Sequence, residues 1–287
     1  MARNREKLGS LTKQVQTALD NKLAIGQSKH LDKMRCATQD KIYSWETYRS
    51  YMKHCNYFTD YCKETYGCKT LEQCRVYVDE WLKTRSEKGL SAYTQKLEAS
   101  ALAKMFGCST KDFIKTDTRH RSDISRSRGD KVRDSHFSER NHKELVDFCK
   151  STGLRRSELR ALTGDKLIDK NGKYYIKVDV GSKGGRYREA PIVGDVKAVV
   201  EKMQRADTCK VFDKIPNGAD IHSYRADYAT SIYNSHARDV KTLEPSERYC
   251  CRGDLKGIWY DKQAMLEASE ALGHSRISVI AEHYIRG

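Results

Sequence analysis

The chain has 287 residues, enough for two domains of ordinary size whose cores need no disulfide or metal scaffold. Lysine and arginine number 54 against 39 aspartates and glutamates, a formal charge of +15 spread along the whole sequence. A basic folded protein of this kind most often meets nucleic acid, with a membrane surface the lesser alternative. No apolar run approaches the roughly 18–20 residues of a bilayer span, and Met1-Ala2-Arg3-Asn4-Arg5 leads into polar sequence rather than a signal-peptide core. A cytoplasmic protein is therefore expected.

The first elements are helical. A helix is expected around Leu11 to Leu23. From Tyr43 to Tyr66 the residues Trp45, Tyr48, Met52, Cys55, Phe58 and Cys62 recur at steps of three and four, one face of a second helix. Cys74, Val78, Trp81 and Leu82 continue the pattern to a stop near Gly89, and Ser91 is placed to cap a helix carrying Leu97, Ala101, Leu102 and Met105. The ten cysteines show no zinc spacing: Cys55, Cys62, Cys68 and Cys74 lack a C-x2-C pair, and Cys250-Cys251 are adjacent. Reduced, mostly buried thiols are expected, and no metal.

Between Cys108 and Phe137 the apolar periodicity lapses into a Ser-, Asp- and Arg-rich linker that includes Arg126 and Arg128. Such a run is either a solvated loop or a segment that tracks a phosphate backbone. Beyond it, Ser138 is expected to cap a helix carrying Leu145, Val146 and Phe148 that stops at Gly153, and a helix containing Arg155 to Leu162 follows. Residues 174–180 and 188–193 alternate as two strands joined by the turn Gly181-Ser182-Lys183-Gly184-Gly185. After Asp195 helices are expected throughout, except in the polar stretch Asp239 to Lys256.

Arginine, lysine, histidine, arginine, histidine and tyrosine then stand in a fixed order that could serve phosphodiester chemistry. Cutting such a bond without a metal needs cationic donors on the non-bridging oxygens, an acid for the departing 5′-oxygen and a nucleophile in line with it. Arg155 and Arg225 suit the clamp, because a guanidinium donates as a planar fork and stays charged. Lys183 is assigned to the departing oxygen, His222 and His274 to phosphate contact or proton relay, and Tyr284 to nucleophilic attack. His222 and Arg225, three apart on a helix, share a face. Singly each feature is common: a histidine three before an arginine is usually a surface pair, a glycine-flanked lysine a plain hairpin turn, a terminal tyrosine an amphipathic surface residue. Their joint order carries the reading.

Those residues and their neighbours resemble the tyrosine recombinase (phage integrase) family, as in integrases of phages or conjugative transposons. Thr152-Gly153-Leu154-Arg155 with Glu158-Leu159 looks like the first arginine box, Arg156 being only its neighbour and Glu158 the supporting acid. Lys183 falls at the β-hairpin lysine, His222-x-x-Arg225 at the second box, Gly273-His274 at the third and Tyr284 at the nucleophile. The resemblance covers about residues 138–287 and reaches the helical N-terminal part only by pattern and position. Departures are a longer interval from His274 to Tyr284, with His283 as an extra hydrogen-bonding group, and an insertion-like stretch from His236 to Lys262, open to reading as a DNA or partner contact or as a passive surface excursion. Three residues follow Tyr284 where members commonly carry a tail that docks on the next protomer, and there is little room before residue 10 for the arm-binding domain that some integrases carry.

The resemblance implies a mainly α fold with a small antiparallel β-sheet in the catalytic domain, an α+β class, arranged as a two-domain DNA clamp. Its parts would be a helical core-DNA-binding domain over 1–107, a basic linker over 108–137 and the catalytic domain over 138–287. It implies site-specific recombination through a 3′-phosphotyrosine and a Holliday junction, integrating or excising a mobile element. The partners implied are double-stranded DNA and a homo-tetramer, with accessory DNA-bending proteins, and no metal, ATP or other cofactor. The alternatives are a type IB topoisomerase-like enzyme that nicks and reseals any sequence, a non-catalytic DNA-binding protein on a recombinase scaffold, and, last, a basic RNA-binding protein. Base readout is assigned to the helix opened by Ser91, Tyr93, Thr94 and Lys96, residue types that a helix start also favours for capping alone.

Overall fold

A computed structural model describes residues 9–120, 137–181 and 187–285, and the chain divides into two compact units, Met1–Asp123 and Ile124–Gly287. Lys183, Arg126 and Arg128 lie outside the described residues. Among those described, no helix is long and apolar enough to cross a membrane, and all ten cysteines are free.

The first unit consists of α1 (Leu11–Asp20), α2 (Lys29–Met34), α3 (Trp45–Tyr66), α4 (Leu71–Arg75), α5 (Val78–Glu87) and α6 (Ala92–Phe106). Leu11, Val15 and Leu19, one face of α1, pack with Cys55, Phe58 and Cys62 of α3 and with Trp81, Leu82, Leu102 and Met105. The expected single element after Cys74 is two helices. Thr70 and Gln73 close a capping box on α4, which ends at Val76, and the chain turns at Tyr77 before α5. The first helix stops at Asp20 rather than Leu23, because Leu23 leaves to bridge Ile42. At α6 the Ser91 hydroxyl accepts from the Thr94 amide, as a cap does. The one buried carboxylate of α6, Glu98, takes two 3.0 Å bonds from Arg85, which also stacks on Trp81, and one at 3.2 Å from His54.

The second unit runs α7 (Lys143–Thr152), α8 (Arg156–Ala161), β1 (Leu167–Lys170), β2 (Lys173–Val178), β3 (Arg188–Pro191), α9 (Val196–Ala206), α10 (Ile221–His236), β4 (Arg248–Cys250), β5 (Trp259–Asp261), α11 (Lys262–Ala271) and α12 (Ser278–His283). β1, β2 and β3 form an antiparallel sheet in chain order, with Ile176 opposite both Leu167 and Ala190. β1 was not expected: it is short and its outer half is exposed, so it lacks an apolar alternation. Ser138 does not cap the helix: its hydroxyl accepts from the Asn141 amide of a 3-10 turn over Arg140–His142, and α7 starts only at Lys143, without a side-chain cap. Residues 207–220 are not helical, and the insertion-like stretch contains the β4–β5 hairpin.

Helix α10 carries two cores. Ile221 and Tyr224 belong to the cluster built on α7, the sheet and α9, whereas Tyr228, Ala229 and Ile232 pack with Met265, Leu272 and Ile280. The residues between and beside these apolar groups are thereby fixed at the seam where α8, α10 and the end of α11 meet.

Candidate active site

Gly153 ends α7 in the left-handed region, φ +59°, where a side chain is strained, and an added Cβ there would fall inside the Tyr228 ring. The chain then buries Leu154 at 1% exposure and places Arg155, extended, as the residue before α8. Arg155 donates to Glu158 at 2.8 Å through its side chain, and its own amide donates to the same carboxylate at 2.7 Å. Arg156 points elsewhere: it donates to the carbonyls of Pro216, Asn217 and Ala219, which ties α8 to the segment leading into α10.

From α10 come exposed His222 and buried Arg225, one turn apart. Arg225 donates to the Gly153 carbonyl and, at 2.5 Å, to the Leu272 carbonyl. Arg155 reaches the same Leu272 oxygen at 3.3 Å, and Arg188 of β3 donates to Ala271 at 3.2 Å. Three guanidiniums thus gather at the C-terminus of α11, where carbonyls without helical partners and the negative end of the helix dipole favour cations. Gly273, φ +67°, follows, and a Cβ there would sit 2.8 Å from the Arg188 side chain.

Past that turn His274 sets Nε2 3.3 Å from the Tyr284 hydroxyl. The Tyr284 ring lies 5.3 Å from the His222 ring, 5.2 Å from that of His274 and 5.7 Å from the Arg225 guanidinium. A cavity of about 300 Å³ is lined by Arg155, Arg156, His222, Arg225 and Tyr284 with residues 219–221. His283 faces solvent beside Glu282 rather than the cavity. Lys183 is outside the described residues; Gly181, φ +74°, accepts from the Ser157 hydroxyl at 2.7 Å.

The electrostatics follow from this crowding. Burial, with Arg155 next, lowers Arg225 to about 10, which leaves it charged at neutral pH. Burial and the cations Arg225, Arg155, Arg188 and His283 push His274 down to about 4, so its imidazole is neutral and can accept the phenol's hydrogen bond. Burial raises the Glu158 carboxyl, but Arg188 and Arg155 outweigh it and hold the group at about 2. The arrangement puts cationic donors and a phenol on one cavity, with the neutral His274 imidazole against the phenol hydroxyl.

The motif positions did not single out Arg188. Its signal was the strand alternation, which turns Arg188, Ala190 and Ile192 to the buried side. Of the residues assigned to base readout, Ser91 and Thr94 bond each other at 3.0 Å and share the cap, while Tyr93, with Arg119 over its ring, and Lys96 are exposed.

The sequence matches no protein-family model and no curated protein. Solved structures do match. The XerH site-specific recombinase bound to palindromic difH substrate, a post-cleavage complex, is 16% identical over 99% of this chain and 95% of its own, TM-score 0.51. The pre-cleavage complex of XerH with difH is 14% identical over 95% and 91%, TM-score 0.51. The Tn1549 transposon integrase in complex with circular intermediate DNA is 16% identical over 97% and 96%, TM-score 0.46. The chain therefore has the fold of a tyrosine recombinase, mainly helical with small antiparallel sheets, as the resemblance implied.

Proposed function

We propose that the protein is a site-specific DNA recombinase of the tyrosine type, acting on double-stranded DNA. The observation that carries this reading is the Tyr284 hydroxyl beside neutral His274, on the same cavity as Arg155 and Arg225. In the reaction, Arg155 and Arg225 bind the non-bridging oxygens of a scissile phosphate and offset the charge that grows on them. The Tyr284 oxygen attacks phosphorus as its proton passes to His274, and the bond to the 5′-oxygen breaks. Lys183 protonates that oxygen, leaving a 3′-phosphotyrosine and a free 5′-hydroxyl. Attack of a 5′-hydroxyl from a second duplex on the phosphotyrosine reverses the steps, returns the proton to Tyr284 and joins the strands. Two such exchanges in a homo-tetramer pass through a Holliday junction and integrate or excise a mobile element, with no metal or ATP consumed.

The test is to incubate the protein with fragmented DNA from its own genomic neighbourhood, denature with detergent and compare it with Tyr284→Phe. The expected result is a covalent adduct on one recurrent sequence, lost in the variant. Adducts on any sequence would instead indicate a topoisomerase, and salt-sensitive binding with no adduct a DNA-binding protein.

A further inference from the structure

Arg188 is not among the residues that line the cavity, yet it shares a carboxylate with Arg155, which is. All three of its guanidinium nitrogens are engaged inside the protein: two hold the Glu158 oxygens at 2.8 and 2.7 Å, and the third meets the Ala271 carbonyl. Glu158 also receives the Arg155 amide and one Arg155 side-chain nitrogen, four hydrogen bonds in all. That fills the roughly four lone-pair positions of a carboxylate. Arg155 is therefore kept to a single side-chain bond on Glu158. Without Arg188 two of those positions would open, and Arg155 could exchange its 3.3 Å bond to Leu272 for a two-bond fork on the carboxylate, the geometry guanidinium and carboxylate prefer.

We propose that Arg188 is a positioning residue for phosphate binding: by taking Glu158 as a bidentate partner it leaves the charge and remaining donors of Arg155 to the cavity. This rests on the reading of the cavity as a phosphate site. Charge makes the same point, since three guanidiniums against one carboxylate leave two positive charges uncompensated, and loss of Arg188 would leave one. His274 reports that balance. The groups whose charge bears on it are Arg155 just before α8, Arg188 from β3, Arg225 from α10 and the solvent-facing His283 at the end of α12; the Tyr284 hydroxyl is its hydrogen-bond partner, and His222 lies against the same Tyr284 ring.

The experiment follows the His274 imidazole by NMR across pH and measures the Kd for sulfate in the wild type, Arg188→Gln, Arg188→Lys and the double variant Arg188→Gln/Glu158→Gln. Arg188→Gln is expected to raise the His274 midpoint by roughly half a unit or more and to weaken sulfate about tenfold. Lysine, which restores the charge but not the fork, should recover most of the midpoint and part of the affinity. The double variant removes cation and carboxylate together, so it should fold even where the single change does not, and keep sulfate affinity within a few-fold of wild type. The proposal is overturned by a folded Arg188→Gln with unchanged midpoint and affinity, or by a double variant that loses sulfate tenfold or more. Neither readout needs DNA cleavage, so an absent phosphotyrosine adduct would sink the proposed function without deciding this question.

Discussion

At the residue scale burial and charge set the protonation states of the site, acting together on His274 and against each other at Glu158. His274, lowered from 6.5 to about 4, takes up its proton less readily folded than unfolded. The stability contributed by keeping it neutral is therefore full above pH 6.5 and lost as the pH falls toward 4. Replacing it by asparagine should flatten the fall in denaturation midpoint over that window. An anion in the cavity opposes the same cations and raises His274, so sulfate should bind more tightly as the pH drops through the window, and lose that dependence in His274→Asn. A sulfate Kd flat with pH in the wild type would contradict the assignment. Glu158, held at about 2 against its usual 4.5, contributes stability that is present above pH 4.5 and lost as the pH falls through 2. For chemistry, Arg155→Lys should slow cleavage by roughly 10²–10³-fold with little loss of DNA affinity, because a point charge cannot replace the fork.

At the element scale two glycines separate conformation from packing. Gly172 has φ +81° with nothing within 4 Å of an added Cβ, so Gly172→Ala should cost only about 1 kcal/mol in denaturant unfolding. Gly153→Ala adds to the same strain a clash with the Tyr228 ring, and should cost more than about 3 kcal/mol. Equal costs at the two positions would argue against the close packing of α7 on α10. Much at this scale was legible in the sequence. The helix stop at Gly153, the cap at Ser91 and the face shared by His222 and Arg225 follow from local rules of backbone and spacing. What escaped did so for physical reasons. β1 is half exposed, although Asn171-Gly172, both at positive φ, marked its turn in the sequence. The β4–β5 hairpin is held by Asp261, which takes two bonds from the Arg238 side chain and caps α11, long-range contacts with no local periodicity. Arg188 escaped because its partner, Glu158, lies 30 positions away.

At the scale of the whole molecule, the proposed function and a formal charge of +15 predict that phosphate contacts are the main source of DNA affinity, so binding should weaken steeply and linearly on a log–log plot against salt. Sequence preference is a separate matter. Lys96 is exposed on α6, and Lys96→Ala should relax base preference while the salt slope falls by no more than about one. An unchanged preference would move readout away from α6. Why the cavity combines cations with a phenol is answered by one measurement above the others: protease digestion of the covalent DNA complex and mass spectrometry of the peptide that carries the nucleotide. The account predicts a 3′-phosphate on Tyr284 and a free 5′-hydroxyl on the partner strand; a nucleotide on any other residue, or a 5′-phosphate linkage, would contradict it.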